Sequence, residues 1–169
     1  MHYWTASALV LAMATGSSTP AVPSGLEAFS FVVGEWRGTF KGYPTKMMPN
    51  GFEAAGTMTS RWGAHHAWIE SEAATEIPGL GPYVVKVVVA YDGQGKSLDS
   101  FVVNNVGTAG RYRGTIEGNR AVFVGKIRNI TQRVSYENLS PTEMRFFVEE
   151  SDDDGATYRP HSEIVWRRR

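Results

Sequence analysis

After Val33 the sequence alternates between apolar and polar residues, and this period of two returns in segment after segment to the end of the chain. In the first such segment Trp36 and Phe40 lie in one row, and Arg37 and Lys41 lie in the other. This pattern is typical of half-buried strands, whose successive side chains point to opposite faces of a sheet. No later segment has a helical period, so the sequence predicts an all-β protein.

Short runs rich in Gly, Asp, Asn and Pro separate the alternating segments at even spacing. The predicted strands cover residues 35–41, 55–60, 61–73, 83–91, 98–105, 111–117, 121–130, 132–136, 143–150 and 158–167. A long meander removes its unpaired edges when its first and last strands meet. We therefore predict an antiparallel up-and-down β-barrel of about 8–10 strands.

A helical period occurs only before the first strand. Leu26, Phe29 and Val33 fall on one stripe, Ser24 can cap the N-terminus of a helix, and Gly34 can end it. We predict a short N-terminal helix that lies across one end of the barrel. Residues 24–169 then form one barrel domain.

Residues 1–23 differ in composition from this domain. An apolar run from Ala6 to Ala14 precedes small, Pro-rich sequence, which resembles the apolar part of a signal peptide without its basic N-terminal part. We interpret residues 1–23 as a signal peptide or a disordered N-terminus. Secreted or periplasmic and cytoplasmic locations both stay open.

Composition excludes several classes of function. Seventeen basic and seventeen acidic residues cancel, which argues against nucleic acid as a partner. The absence of cysteine excludes disulfides, thiolate nucleophiles and Cys-based zinc sites. No apolar run is long enough for a transmembrane helix. We predict no metal site and no resident cofactor, and both a monomer and a homodimer fit.

A barrel of this size has an interior that side chains can fill or that can hold one small ligand. The rows predicted to face inward combine small or polar residues with large aromatic ones, which favours a pocket for a small, largely apolar molecule. The alternative is an interior filled by interdigitating side chains. The predicted ligand-binding residues are Trp62, His66, Trp68, Tyr83, Tyr91, Asn104, Arg113 and His161.

Two of these residues are candidates for catalysis. Alternation places His66 in one row with Trp62 and Trp68, where it could act as a polar handle or a general base. Alternation places His161 on one face with Glu163, which could orient it as a base. The alternatives are a core His66 satisfied by the backbone and an exposed strand His161.

Arg113 is a candidate for holding a ligand carboxylate. It shares a row with Arg111, and two guanidinium groups could bind a carboxylate if that row faced inward. The alternative is an outward row paired with Glu117.

The run Gly34-Glu35-Trp36 resembles the Gly-x-Trp opening of lipocalins and other calycins. In those proteins the tryptophan closes the barrel base under an arginine from the last strand, a part that Arg167 or Arg168 would play here. The longer pattern resembles a bacterial lipocalin-like family of unknown function. It continues through Gly63, Tyr91-Asp92, Gly107-Thr108, Gly114-Thr115 and Asp154-Gly155.

The chain departs from that family at one place. The family has Trp-x-Asp where this chain has Val102-Val103-Asn104, so a neutral amide stands in place of an acid that could anchor a ligand. The resemblance implies a calycin-like barrel and names no ligand.

The run Gly34-x-Trp36-Arg37-Gly38-x-x-x-Gly42 is also similar to the opening of nitrobindin, a ten-stranded haem-binding barrel, although Phe40 stands where nitrobindins have glycine. Nitrobindins bind haem iron through the histidine of a Pro-His pair near the C-terminus, which is matched here by Pro160-His161. This similarity implies haem as an alternative cofactor, with His161 as axial ligand.

A third hypothesis is a cyclase or isomerase that uses the cavity as a mould. His66 or His161 would then supply the acid or base.

Overall fold

Ten antiparallel strands close into one barrel, in which neighbours in sequence pair and the first strand pairs with the last. The computed structural model describes residues 24–45, 48–94 and 96–169, so the predicted signal peptide or disordered segment at 1–23 lies outside the described residues. The strands are β1 (Gly34–Gly42), β2 (Phe52–Trp62), β3 (Trp68–Ile77), β4 (Gly81–Asp92), β5 (Ser97–Asn104), β6 (Ala109–Glu117), β7 (Arg120–Ile127), β8 (Ile130–Ser140), β9 (Glu143–Ser151) and β10 (Arg159–Arg168).

Closure depends on the pairing of β1 with β10. Trp36 lies opposite Arg168 and Gly42 lies opposite Ser162, so the two strands pair along nearly their whole length. No strand edge is left unpaired in the described barrel, as expected for an up-and-down meander. The predicted all-β barrel of about 8–10 strands, with a short helix on its N-terminal side, is confirmed.

One predicted strand is wrong. The segment over residues 61–73 is not continuous, because a 3-10 turn (Ala64–His66) separates β2 from β3. His65 and His66 have φ values of 53° and 56°, which lie in the left-handed region. Residues with this backbone conformation do not continue a strand, so their side chains do not alternate between two faces. His66 is therefore not in the inward row of Trp62.

The N-terminal segment closes the end of the barrel at which β1 begins, which we call the base. Helix α1 (Ser24–Ala28) and the 3-10 turn after it bury Leu26, Phe29 and Val32 in the core. The Phe29 ring makes edge contacts with Phe123 and Tyr136, at centroid distances of 5.6 Å and 5.3 Å. This segment therefore lies across one end of the barrel as predicted, although the helix ends at Ala28 and the buried valine is Val32 instead of the predicted Val33.

Trp36 and Arg168 fasten this segment to the base. The indole Nε1 of Trp36 donates to the Val32 carbonyl at 2.8 Å, and the Arg168 guanidinium lies 4.3 Å from the indole ring centre. Arg168 also donates to the carbonyls of Val33 and Pro141. Of the two arginines that the calycin resemblance suggested, Arg168 thus covers the tryptophan.

Gly34 makes this contact possible. Its φ of +142° suits glycine, and a Cβ at this position would collide with the Arg168 guanidinium.

Candidate functional site

A cavity of about 730 Å³ occupies the half of the barrel away from α1. It opens at the end that we call the mouth, beside the turns at residues 78–80 and 105–108 and the described part of the β1–β2 loop. The base half is filled by Phe29, Trp36 and Phe123, whose side chains are at most 2% exposed. The interior is therefore neither wholly filled nor wholly hollow.

Small inward side chains keep the mouth half open. Inward positions on β2, β3 and β5 carry Gly56, Ala73 and Ser100. These small side chains leave space in the barrel interior that larger side chains would fill. Valines from several strands complete an apolar wall. They are Val85, Val87, Val102, Val134 and Val148.

Among the described residues of the cavity wall, His161 is the one side chain that can carry a positive charge, and none is a carboxylate. Among the described residues that line it, there is no Asp, Glu, Lys or Arg. Its ionisable side chains are His161 and the tyrosines Tyr43, Tyr83, Tyr112 and Tyr136. Burial raises the pKa of both Tyr112 and Tyr136 above the ordinary tyrosine value, so these phenols are neutral in the folded protein.

A chain of polar side chains runs from the interior toward the mouth. The Tyr112 hydroxyl donates to Gln132 Oε1 at 2.6 Å, and Gln132 Nε2 donates to Glu150 Oε1 at 2.9 Å. The other carboxylate oxygen of Glu150 lies 3.4 Å from His161 Nδ1. The His161 imidazole, helped by the Gln132 amide, lowers the pKa of Glu150 against the opposing effect of burial.

A β-bulge brings His161 to the cavity wall. The register between β10 and β9 shifts between Pro160 and Ser162, so His161 is an extra residue in its strand. The bulge lets His161 line the cavity together with its neighbour Ser162. The predicted shared face of His161 and Glu163 is therefore wrong. Glu163 pairs with Arg145 at 2.6 Å, and the partner of His161 is Glu150.

Tyr83 and Asn104 also line the cavity, where the Asn104 amide donates to the Tyr83 hydroxyl at 3.2 Å. The amide oxygen of Asn104 accepts from the backbone N–H groups of Val106 and Thr108. The Asn104 amide thus holds the β5–β6 turn and contacts Tyr83.

The remaining predicted site residues lie elsewhere. Trp62, His66 and Trp68 are at the base, where His66 is exposed and its ring lies 5.0 Å from that of Trp62. Tyr91 packs against Gly25 of α1. None of these four lines the cavity. Of the two candidate catalytic histidines, only His161 does.

Arg113 lies on the outer surface. Its guanidinium is 3.5 Å from Asp99 and 3.9 Å from Asp92. The outward alternative for its row is therefore the one that the structure adopts, with these aspartates in place of the suggested Glu117.

Sequence reasoning missed Tyr112, Gln132 and Glu150. A signal for two of them exists, because Gln132 and Glu150 are polar residues at inward positions of otherwise apolar rows in β8 and β9. Within the described ranges, no group of three or more His, Asp and Glu side chains is arranged to hold a metal ion. No helix in the part of the chain that the structure describes has the length and hydropathy needed to cross a bilayer.

Comparison with solved structures supports the architecture. The crystal structure of Rv2717c from M. tuberculosis superposes with a TM-score of 0.66 at 15% identity, and the match covers 88% of this chain and 99% of that one. The S-type phycobiliprotein lyase CPES from Guillardia theta matches with a TM-score of 0.60 at 11% identity, over 85% of this chain and 91% of that one.

These similarities establish a shared barrel fold and do not identify a ligand for this protein. No protein-family model matches the sequence, and no curated protein matches it.

Proposed function

We propose that this protein binds one small, uncharged and largely apolar molecule in the mouth half of the barrel. The observation that carries the proposal is the open cavity of about 730 Å³ with its uncharged wall. Its volume lies within the range of about 300–1,000 Å³ that is typical of small-molecule pockets. The aliphatic walls would bury the body of the ligand, and the polar chain would orient it.

The lack of lining cations argues against an anionic ligand. A carboxylate that leaves water needs a charged or strongly donating partner to offset its lost hydration. No described lining residue is Lys or Arg, and the carboxylate of Glu150 beside His161 would repel an anion. Fatty acids and other carboxylates therefore fit this wall less well than neutral molecules.

Two matched fluorescent probes test this proposal. Phenylnaphthylamine is neutral, and anilinonaphthalene sulfonate adds one negative charge to the same aromatic framework. We expect the full chain to enhance the fluorescence of the neutral probe and to bind the sulfonate at least about tenfold more weakly, a difference of about 1.4 kcal/mol. Equal binding of both probes, or no binding of the neutral one, would contradict the proposal.

Cavity-filling variants locate the binding site. Ala73 faces the cavity from β3, and Ala55 lies exposed on β2 outside the cavity lining. We expect Ala73→Trp to abolish binding of the neutral probe and Ala55→Trp to leave it unchanged. Ala73→Leu should weaken binding to an intermediate degree, which guards against misfolding of the larger variant. Thermal unfolding of each variant checks that the barrel is intact.

We propose haem binding as a second candidate function, because His161 lies on the cavity wall with a carboxylate beside its Nδ1. Histidines that bind metal commonly donate their other ring N–H to such a group, and an apolar pocket suits a porphyrin. His161 would hold the iron, and Glu150 would orient the imidazole. Bound haem would supply the gas-binding or redox chemistry.

Reconstitution with haemin tests this candidate. A Soret band that is present in the wild-type protein and lost in His161→Ala would support it. Protein that stays colourless after reconstitution would exclude it.

A further inference from the structure

We infer that the site selects ligands that carry a hydrogen-bond donor, a hydroxyl or an uncharged N–H, which His161 Nε2 accepts. This inference rests on the proposed binding of an uncharged molecule and adds the chemical class of its polar group. The supporting geometry is the chain from Tyr112 through Gln132 and Glu150 to His161.

The Glu150 carboxylate determines which ring nitrogen of His161 carries the hydrogen. A carboxylate offers only acceptors, so the ring nitrogen that faces Glu150 at 3.4 Å must carry hydrogen for the contact to be favourable. That nitrogen is Nδ1. A neutral imidazole carries one ring hydrogen, and Nε2 therefore keeps a lone pair.

Tyr112 and Gln132 hold the Glu150 carboxylate in place. The Gln132 carbonyl accepts from the Tyr112 hydroxyl, which turns the Gln132 amide nitrogen toward Glu150. Glu150 thus has one oxygen held by Gln132 and the other beside His161. The charge of Glu150 beside Nδ1 orients the imidazole, although Nδ1 makes no full hydrogen bond in the described structure.

A ligand in the cavity can reach only one edge of the His161 ring. Nδ1 of His161 is buried, whereas the side chain as a whole is 40% exposed and lines the cavity. The accessible edge of the ring is therefore the one that bears Nε2. A ligand whose apolar body fills the hollow would place its polar group at this edge, near the mouth.

Naphthol and its methyl ether, methoxynaphthalene, form a matched pair of probes. They share one aromatic body, and only naphthol has a donor. Titrations of the full chain at mildly alkaline pH should give roughly a fivefold preference for naphthol, the effect of one net hydrogen bond. Equal affinities, or a preference for the ether, would overturn the inference.

Three variants assign the preference to the positioned histidine. His161→Phe keeps a flat ring and removes the acceptor, so both probes should bind with similar affinity. Glu150→Gln removes the anionic acceptor that fixes Nδ1–H and should also reduce the preference. Glu149→Gln makes the same chemical change one residue away, where Glu149 pairs with Arg133 outside the cavity, and should retain the wild-type preference. A preference that survives in His161→Phe would overturn the inference.

The two proposals fail in different ways. If neither phenylnaphthylamine nor naphthol binds, the proposed function fails, and the inference fails with it. If phenylnaphthylamine binds in the cavity and naphthol is refused, or is bound no better than its ether, the inference alone fails.

Discussion

At the scale of single residues, Asp153 organises the connection between β9 and β10 through its carboxylate. The hydroxyls of Ser151 and Thr157 and the backbone N–H of Thr157 all donate to this group. These hydrogen bonds lower the pKa of Asp153, because they favour its charged form. The carboxylate therefore stabilises the connection only while it is ionised.

A pH dependence follows from this shift. A group whose pKa is lowered on folding contributes stability above its unfolded pKa, about 3.9 for Asp, and loses that contribution as pH falls through the folded value. We expect the free energy of unfolding of Asp153→Asn to fall less steeply than that of the wild type below about pH 5. Urea denaturation at a series of pH values measures both slopes.

Asp154→Asn is the matched control, because Asp154 neighbours Asp153 and makes only an exposed pair with Lys126. It should retain the wild-type slope. Equal slopes for Asp153→Asn and the wild type would contradict the role assigned to Asp153.

Individual residues are also where sequence reasoning fails. Alternation puts His66 inside, but two left-handed residues form a turn at that point. It puts His161 beside Glu163, but an extra residue in β10 changes the direction of the side chain. Gly63 and Pro160 stand beside these two irregularities, but neither residue indicates the direction of the histidine side chain that follows it.

At the scale of elements, the period of two placed nearly every strand correctly, because burial of one face enforces it. In β4, Val85 and Val87 line the cavity, while Lys86 between them pairs with Glu72 outside. The sequence predicts that β1 and β10 pair to close the barrel, but it does not predict their register. No local signal indicates which residues of two distant strands lie opposite one another.

The N-terminal segment and the last strand depend on Arg168. We expect Arg168→Ala to lower the free energy of unfolding by about 1–3 kcal/mol, because it uncovers Trp36 and leaves the carbonyls of Val33 and Pro141 without this donor. Chemical denaturation monitored by tryptophan fluorescence measures the change.

Arg167→Ala provides the comparison from the same strand. Arg167 makes a mostly exposed pair with Glu143, and such pairs contribute about 0–1 kcal/mol. Equal effects of the two substitutions would show that Arg168 contributes no more than an ordinary surface charge.

At the scale of the whole molecule, the barrel is divided between a packed base and a hollow mouth. The aromatic residues that the sequence offered as one pocket are separated by this division, with Trp62 and Tyr91 at the base and Tyr83 at the mouth. Inward rows were predictable from alternation. The height of each residue along the barrel axis was not, because it depends on strand register and on where α1 inserts.

The most direct test of the account is an NMR measurement of intermolecular NOEs between phenylnaphthylamine and the valine methyl groups of the full chain. Val87 and Val102 line the cavity, and their sequence neighbours Val88 and Val103 lie exposed on the outside. A probe bound in the cavity should give NOEs to Val87 and Val102 and none to Val88 and Val103. NOEs confined to Val88 and Val103 would place the probe on the outer surface and contradict a ligand cavity inside the barrel.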